Sequence, residues 1–214
     1  MMFNEYAITH NSQYDELKKM YESIESYINS ISNTKIKKSG LEFNVFQGDI
    51  TKGIKWTWAS NTKTLKYFSD FFESIHLDDK LLSFSKFKFT IRGASFITLN
   101  ESKIENSDFH FDSVSHHDNN DTNIVTVIFP LYKIAKDVGH LEYKHFGKNK
   151  RYNYNPHKLI VWDSCKFLHR TEPYNVNTEV NRVLVSVNLS TDYNWAKYTI
   201  NKSLEYQGNT LWIE

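Results

Sequence analysis

Apolar residues recur every three or four positions from Ser12 to Ile31, through Tyr14, Leu17, Tyr21, Ile24, Ile28 and Ile31. That period predicts an amphipathic helix, with Asp15 and Glu16 suited to its positively polarised first turn. Leu65, Phe68, Phe72 and Ile75 share a second stripe, which predicts a helix from about Thr62 to Ile75. After about Ser83 the period shortens to two. Short runs rich in Val, Ile, Phe and Tyr, bounded by polar turns, predict strands at Phe84 to Ile91, Ala94 to Leu99 (after Gly93), Asp108 to Asp112 and Asn123 to Phe129. Further strands are expected at Gly139 to Tyr143, Lys158 to Trp162, Phe167 to Glu172 and Arg182 to Leu189.

Strands following two helices predict a mainly β, α+β fold. Its core would be a cupin-like jelly roll, or double-stranded β-helix, over about 84–190, braced by helical support over about 1–80. No repeat, Pro/Gly linker or low-complexity block marks a boundary, so residues 1–214 are expected to form one domain. The tail from Asp192 to Glu214 is mixed and predicts no element. Two long polar segments interrupt the strands, Ser113 to Thr122 and His145 to His157. Loops of this length inside a compact barrel often cover a site, with ordinary exposed connections the equal alternative.

Composition narrows the function. A formal net charge of +1 gives no electrostatic argument for nucleic acid or an anionic membrane. A single cysteine, Cys165, forbids an internal disulfide and suits a reducing compartment. The beginning Met1-Met2-Phe3-Asn4-Glu5-Tyr6 lacks the basic-then-apolar pattern of a signal sequence, and no apolar run is long enough to span a bilayer. A soluble, cytoplasmic protein is expected, of undetermined oligomeric state. Arginine is scarce: Arg92, Arg151, Arg170 and Arg182 are the whole set, so one beside a candidate site carries weight.

Chemistry concentrates in His110-Phe111-Asp112, then His169, then Arg182. Residues two apart on a strand point to the same face, so His110 and Asp112 should project together while Phe109 and Phe111 turn into packing. A third ligand, His169, would come from a neighbouring strand. Two histidines and one carboxylate can hold one face of an iron(II) ion and leave the other open. The other histidines, including His116, His117, His140, His145 and His157, read better as solvated or packed imidazoles. A structural zinc fits less well, because such sites add cysteine or a fourth protein ligand.

Along the last strand Arg182, Leu184, Ser186 and Asn188 share one face and Val183, Val185, Val187 and Leu189 the other. The uniformly apolar set belongs against the helices, which turns Arg182 and Ser186 into the lumen. A guanidinium there needs a partner. A ligand carboxylate, gripped in bidentate fashion beside a hydroxyl, would supply one, and an internal salt bridge to Glu172 is the alternative.

Together these residues resemble the iron(II)- and 2-oxoglutarate-dependent dioxygenases, in the prolyl-hydroxylase-like branch. The resemblance runs from about Ala94 to Ser190 and includes FHFD, NIVTVIFPLY, KLIVWDS, LHRTEPY and NRVLVSVNLS. It implies that His110, Asp112 and His169 ligate iron, and that Arg182, helped by Ser186, binds the distal carboxylate of 2-oxoglutarate. Thr98 or Asn100 is a further candidate contact. Thirteen positions separate His169 from Arg182, more than is usual in this branch, with the extra residues in the turn Asn175 to Glu179.

The implied reaction uses O2 to decarboxylate 2-oxoglutarate to succinate and carbon dioxide while oxidising a C–H bond of a second substrate. Related halogenases carry a small residue at the carboxylate position, so Asp112 favours hydroxylation or a kindred oxidation. Two other classes stay open: a cupin-like metalloenzyme not using 2-oxoglutarate, and a non-catalytic jelly-roll binding module. A small molecule or amino-acid side chain is the expected substrate. Lys55, Trp56, Trp58, Arg92, Arg151, Tyr152 and Tyr154 are candidates to line its pocket.

Overall fold

The computed structural model describes residues 3–30, 34–47, 53–82, 84–105, 107–114, 121–177 and 180–213. In chain order the elements are β1 (Phe3–Ala7), α1 (Ser12–Ser30), β2 (Thr34–Lys38), β3 (Leu41–Gln47), β4 (Ile54–Ala59), α2 (Thr62–Ser74) and α3 (Leu77–Leu82). Then come β5 (Thr90–Leu99), β6 (Lys103–Ile104), β7 (Ile124–Pro130), β8 (Leu141–His145) and β9 (Lys148–Tyr152). The chain continues through β10 (Lys158–Asp163), β11 (His169–Thr171), β12 (Tyr174–Asn175), β13 (Arg182–Ser190) and α4 (Asn194–Tyr206).

One antiparallel sheet orders its strands β1-β10-β7-β13-β5-β4-β3-β2. Two smaller sheets, β11-β8-β9 and β12-β6, complete a mainly β jelly roll with helical bracing. Strand β13 is central, pairing β5 on one side and β7 on the other. Its two faces divide as the alternation predicts. Val183, Val185, Val187 and Leu189 join α1 and α2 in a core with Tyr21, Phe68, Phe71 and Phe96. Leu184 belongs instead to the lumen cluster, with Ile54, Leu99, Ile128, Trp162 and, from the small sheets, Leu141 and Tyr174.

The helices form where the stripes predict them. Leu17, Tyr21, Ile24 and Ile28 of α1 are fully buried. Asn11 accepts from Tyr14 N at 3.0 Å, and Asn61 caps α2 by accepting from Thr64 N at 2.8 Å, each satisfying an otherwise free first-turn donor. Ile31, given to the first helix by its stripe, lies outside the described residues.

Several expectations need correction. The segment ahead of residue 80 is not only helical: β1, β2, β3 and β4 extend the large sheet at both edges. Residues 84–89 alternate like a strand but form an irregular aromatic anchor, with Phe89 buried and Phe87 edge-on to Tyr193. Gly93 does not break a strand, because β5 runs through it. A Cβ there would come within 2.7 Å of Leu204 on α4, so the missing side chain admits the helix. His145 to His157 is largely a hairpin, β8–β9. The unassigned tail contains α4, whose Ala196, Ile200 and Leu204 pack on Trp58. No helix among the described residues is long and apolar enough to cross a membrane.

Candidate active site

His110 lies outside the named strands. Its backbone makes a single antiparallel bridge to His169, with His110 N donating to His169 O at 2.9 Å and His169 N to His110 O at 3.0 Å. The segment 108–112 is therefore not the strand that its alternation suggests. One reciprocal pair is enough to set two imidazoles side by side, 4.7 Å between ring centroids. Phe111 is 41% exposed rather than packed, while the cations of Lys144 and Arg170 each lie 4.5 Å from the centroid of the Phe109 ring.

Both histidines use the same local device. His110 Nδ1 lies 2.9 Å from Asp108 O, and His169 Nδ1 lies 2.9 Å from Phe167 O. A carbonyl accepts only, so each Nδ1 carries the proton and each Nε2 lone pair is free for a ligand. His169 is further clamped by Phe167, stacked at 5.3 Å, and by Trp162 at 5.0 Å. Asp112 faces the pair. Its Oδ1 is 3.4 Å from His169 Nε2 and 4.0 Å from His110 Nε2. Its Oδ2 accepts from Thr126 Oγ1 at 2.7 Å and from Trp162 Nε1 at 2.8 Å. One carboxylate oxygen is thus held by the sheet and the other is presented.

Ligand atoms of His110, Asp112 and His169 all lie within 4.8 Å of one another. A first-row ion with bonds of about 2.1 Å spaces neighbouring ligands roughly 3 Å apart, so ordinary side-chain rotation closes this set onto one ion. The electrostatics agree. Burial pushes the Asp112 pKa up, but His169, His110 and the Thr126 hydroxyl outweigh it and hold the carboxyl far below its usual range. Burial lowers the His169 pKa, yet Asp112 more than reverses this. The His110 pKa is lowered by the protein packed around the ring, although half of the side chain stays exposed, and by His169. The residues present fit a divalent cation.

These three side chains line a cavity of about 250 Å³ that also reaches Arg182 and Ser186. Arg182 is 1% exposed. One guanidinium nitrogen donates to Gly139 O, while Nε has no hydrogen-bond partner among the described residues. Glu172, the alternative counter-ion, is paired with Arg151 at 3.0 Å. No described carboxylate forms an ion pair with Arg182, although burial works against its charge. The hydroxyls of Tyr154 and Tyr174 are its electrostatic neighbours, and burial drives both up to about 12, so both stay neutral. Gly139, at φ +45°, keeps its carbonyl under the guanidinium, where a Cβ would meet Leu99 at 2.8 Å.

Of the remaining candidates, Trp56, Trp58 and Tyr154 line the cavity. Lys55 instead reaches Ile28 O, Arg92 pairs with Asp192, and Tyr152 donates to Glu5. Thr98 is on the face of β5 opposite Ile97 and Leu99, and Asn100, just past the strand, bonds Asn29 on the surface; neither lines the cavity. Most of the segment Ser113 to Thr122 lies outside the described residues. Thr126, Trp162 and Asn188 are site residues that motif spacing does not reveal. A signal was present in β7, where Thr126 is the one polar residue in IVTVIFP.

The sequence matches no family model and no curated protein. Solved structures do resemble it. A prolyl-4-hydroxylase from Pseudomonas putida superposes with a TM-score of 0.58 at 14% identity, covering 89% of this chain and 93% of that one. A prolyl hydroxylase from Trichoplax adhaerens, in complex with a hypoxia-inducible-factor peptide fragment, gives 0.59 at 17% identity over 89% and 83%. The non-haem α-ketoglutarate-dependent carbocyclase SnoK of nogalamycin biosynthesis gives 0.60 at 8% identity over 88% and 79%. The chain shares the fold common to these three oxygenases.

Proposed function

We propose that this protein is an iron(II)- and 2-oxoglutarate-dependent oxygenase that hydroxylates an unactivated C–H bond of a small molecule or amino-acid side chain, with residues 1–214 acting as one domain. The observation that carries the reading is Arg182, a buried guanidinium with no described carboxylate partner, opening onto the same cavity as the His-Asp-His cluster. An unpaired buried cation is costly, and an incoming dicarboxylate offsets that cost in a way that a metal alone does not.

His110, Asp112 and His169 would hold the iron. Bound there, the ion supplies the oxygen chemistry that couples decarboxylation of 2-oxoglutarate to oxidation of the second substrate. Arg182 would bind the distal carboxylate, with the Ser186 hydroxyl, which is also buried on the lumen face, beside it. Thr126 and Trp162 fix the unused oxygen of Asp112 and leave one oxygen for the metal. The indole and phenyl walls around His169 exclude water on its buried side.

Succinate formed from 2-oxoglutarate under O2, with iron(II) and no second substrate, tests the reading. Slow release that requires the metal and disappears in His169→Ala is expected. Metal binding without 2-oxoglutarate binding would point to a cupin-like enzyme of another kind. Iron(II) titrations identical in wild type and His169→Ala would point to a binding module.

A further inference from the structure

The lumen face of β13 runs from Arg182 through Leu184 and Ser186 to Asn188, about 20 Å at the usual strand rise. On the reading above, which this inference rests on, the Arg182 end is taken by the co-substrate. The far end is built differently. Asn188 is 7% exposed and lies opposite Gly93 on β5 and Thr126 on β7. Trp58 is 1% exposed, and its indole N–H is fixed by Gln207 O at 2.6 Å, where the end of α4 closes over the cavity. Trp56 and Gln207 complete this wall.

The hydrogen-bond network orients the Asn188 amide. Thr126 Oγ1 has one proton, and the Asp112 carboxylate at 2.7 Å takes it. Ser164 Oγ, 2.9 Å away, then donates to Thr126, and Asn188, which stands with its Oδ1 3.2 Å from the same hydroxyl, satisfies the network when its amide is turned over so that the nitrogen donates. Amide oxygen and nitrogen are assigned by such networks and not by shape. Turned so, the Asn188 nitrogen faces Thr126 and the carbonyl oxygen becomes an acceptor on a residue that lines the cavity. Histidines aside, Asp112 and Arg182 are the charged side chains among the described residues lining the cavity, and both are already engaged by metal and co-substrate.

We propose that the substrate end of the cavity takes an uncharged, mostly apolar group of ring or side-chain size that carries one hydroxyl or N–H. Trp56 and Trp58 would supply its apolar contact, and Asn188 would accept its hydrogen bond. Charge is rejected there because no described group could pair it after desolvation. Size follows from the volume: about 250 Å³ must hold 2-oxoglutarate as well, so only one end of a larger substrate enters. The mouth lies at His110, whose side chain is 52% exposed, and Phe111 and Val114 continue the chain from it as exposed apolar residues.

The test loads the protein with manganese(II) and 2-oxoglutarate and follows paramagnetic relaxation of three matched probes, cyclohexanol, cyclohexylammonium and cyclohexanecarboxylate. Enhanced relaxation of water and of the 2-oxoglutarate protons reports metal and co-substrate binding, so it judges the functional reading separately. With both bound, cyclohexanol should relax at least about fivefold more than either ion. Asn188→Leu should remove most of that difference, and Gln207→Leu should reduce it, while the 2-oxoglutarate signal persists in the Gln207 variant. Equal or stronger relaxation of a charged probe overturns the proposal. So does the absence of any probe effect in protein that binds manganese and 2-oxoglutarate.

Discussion

Arg92 and Arg182 stand on adjacent central strands, and each is almost completely removed from solvent. Each nitrogen of Arg92 has an acceptor: its Nε donates to Ser190 Oγ at 3.0 Å, one terminal nitrogen to Ile213 O at 3.0 Å, and the other to Asp192 at 2.7 Å. Arg182 has one backbone carbonyl and an unpartnered Nε. The same side chain, equally buried, is a fastener for the C-terminal segment in one case and an incomplete site in the other. Burial alone does not separate them. The difference lies in how many of the guanidinium's donors the protein itself satisfies.

The largest expected effect comes from the proposed metal ligands beside Arg182. Asp112→Ala should abolish substrate oxidation, with succinate release falling to background in a coupled assay. Arg182→Ala should weaken 2-oxoglutarate binding by on the order of 10²-fold, as expected when one partner of a buried charge pair is removed. Calorimetry should show metal affinity changed far less in that variant. Equal loss of both would mean that the arginine acts through the metal cluster. Thr126→Val leaves the sheet-side oxygen of Asp112 held by Trp162 alone and should cost about tenfold in metal affinity. The smallest effects come from replacing each arginine by methionine and following thermal unfolding without ligands. Arg92→Met should lose about 2 kcal/mol of stability, because the buried Ser190 hydroxyl loses its donor and the Ile213 carbonyl and Asp192 lose their tether. Arg182→Met should be neutral or gain about 1 kcal/mol, since an unpaired buried charge gives way to an apolar chain of similar volume. Co-substrate affinity in Arg92→Met should stay within about twofold of wild type, an expectation that distant sites generally meet.

The contrast also shows what was legible in sequence. The faces of β13 follow from alternation because one set, Val183 to Leu189, is wholly apolar, so Arg182 had to face the lumen. Helix α1 follows from a stripe of fully buried residues. His110 and His169 were found through their order and chemistry, although the strand assumed for His110 is one bridge. Strands β2, β3 and β4 carry alternation of their own in Leu41, Phe43 and Val45. Lying between two helices, they do not reveal locally that they join the far edge of a sheet completed more than a hundred residues later. Helix α4 was obscured because its buried stripe is narrow and includes Asn201. The partners of Asp112 come from β7 and β10, and such contacts depend on register between distant strands.

On the proposed function, the unpaired Arg182 guanidinium receives the distal carboxylate of 2-oxoglutarate. A double cycle tests it most directly: binding of 2-oxoglutarate and of 2-oxopentanoate, which has the same carbon chain without the distal carboxylate, to wild type and to Arg182→Ala in the presence of manganese(II). Wild type should prefer 2-oxoglutarate by on the order of 10²-fold, and Arg182→Ala should bind both with similar affinity. A preference that survives undiminished in Arg182→Ala would contradict the claim.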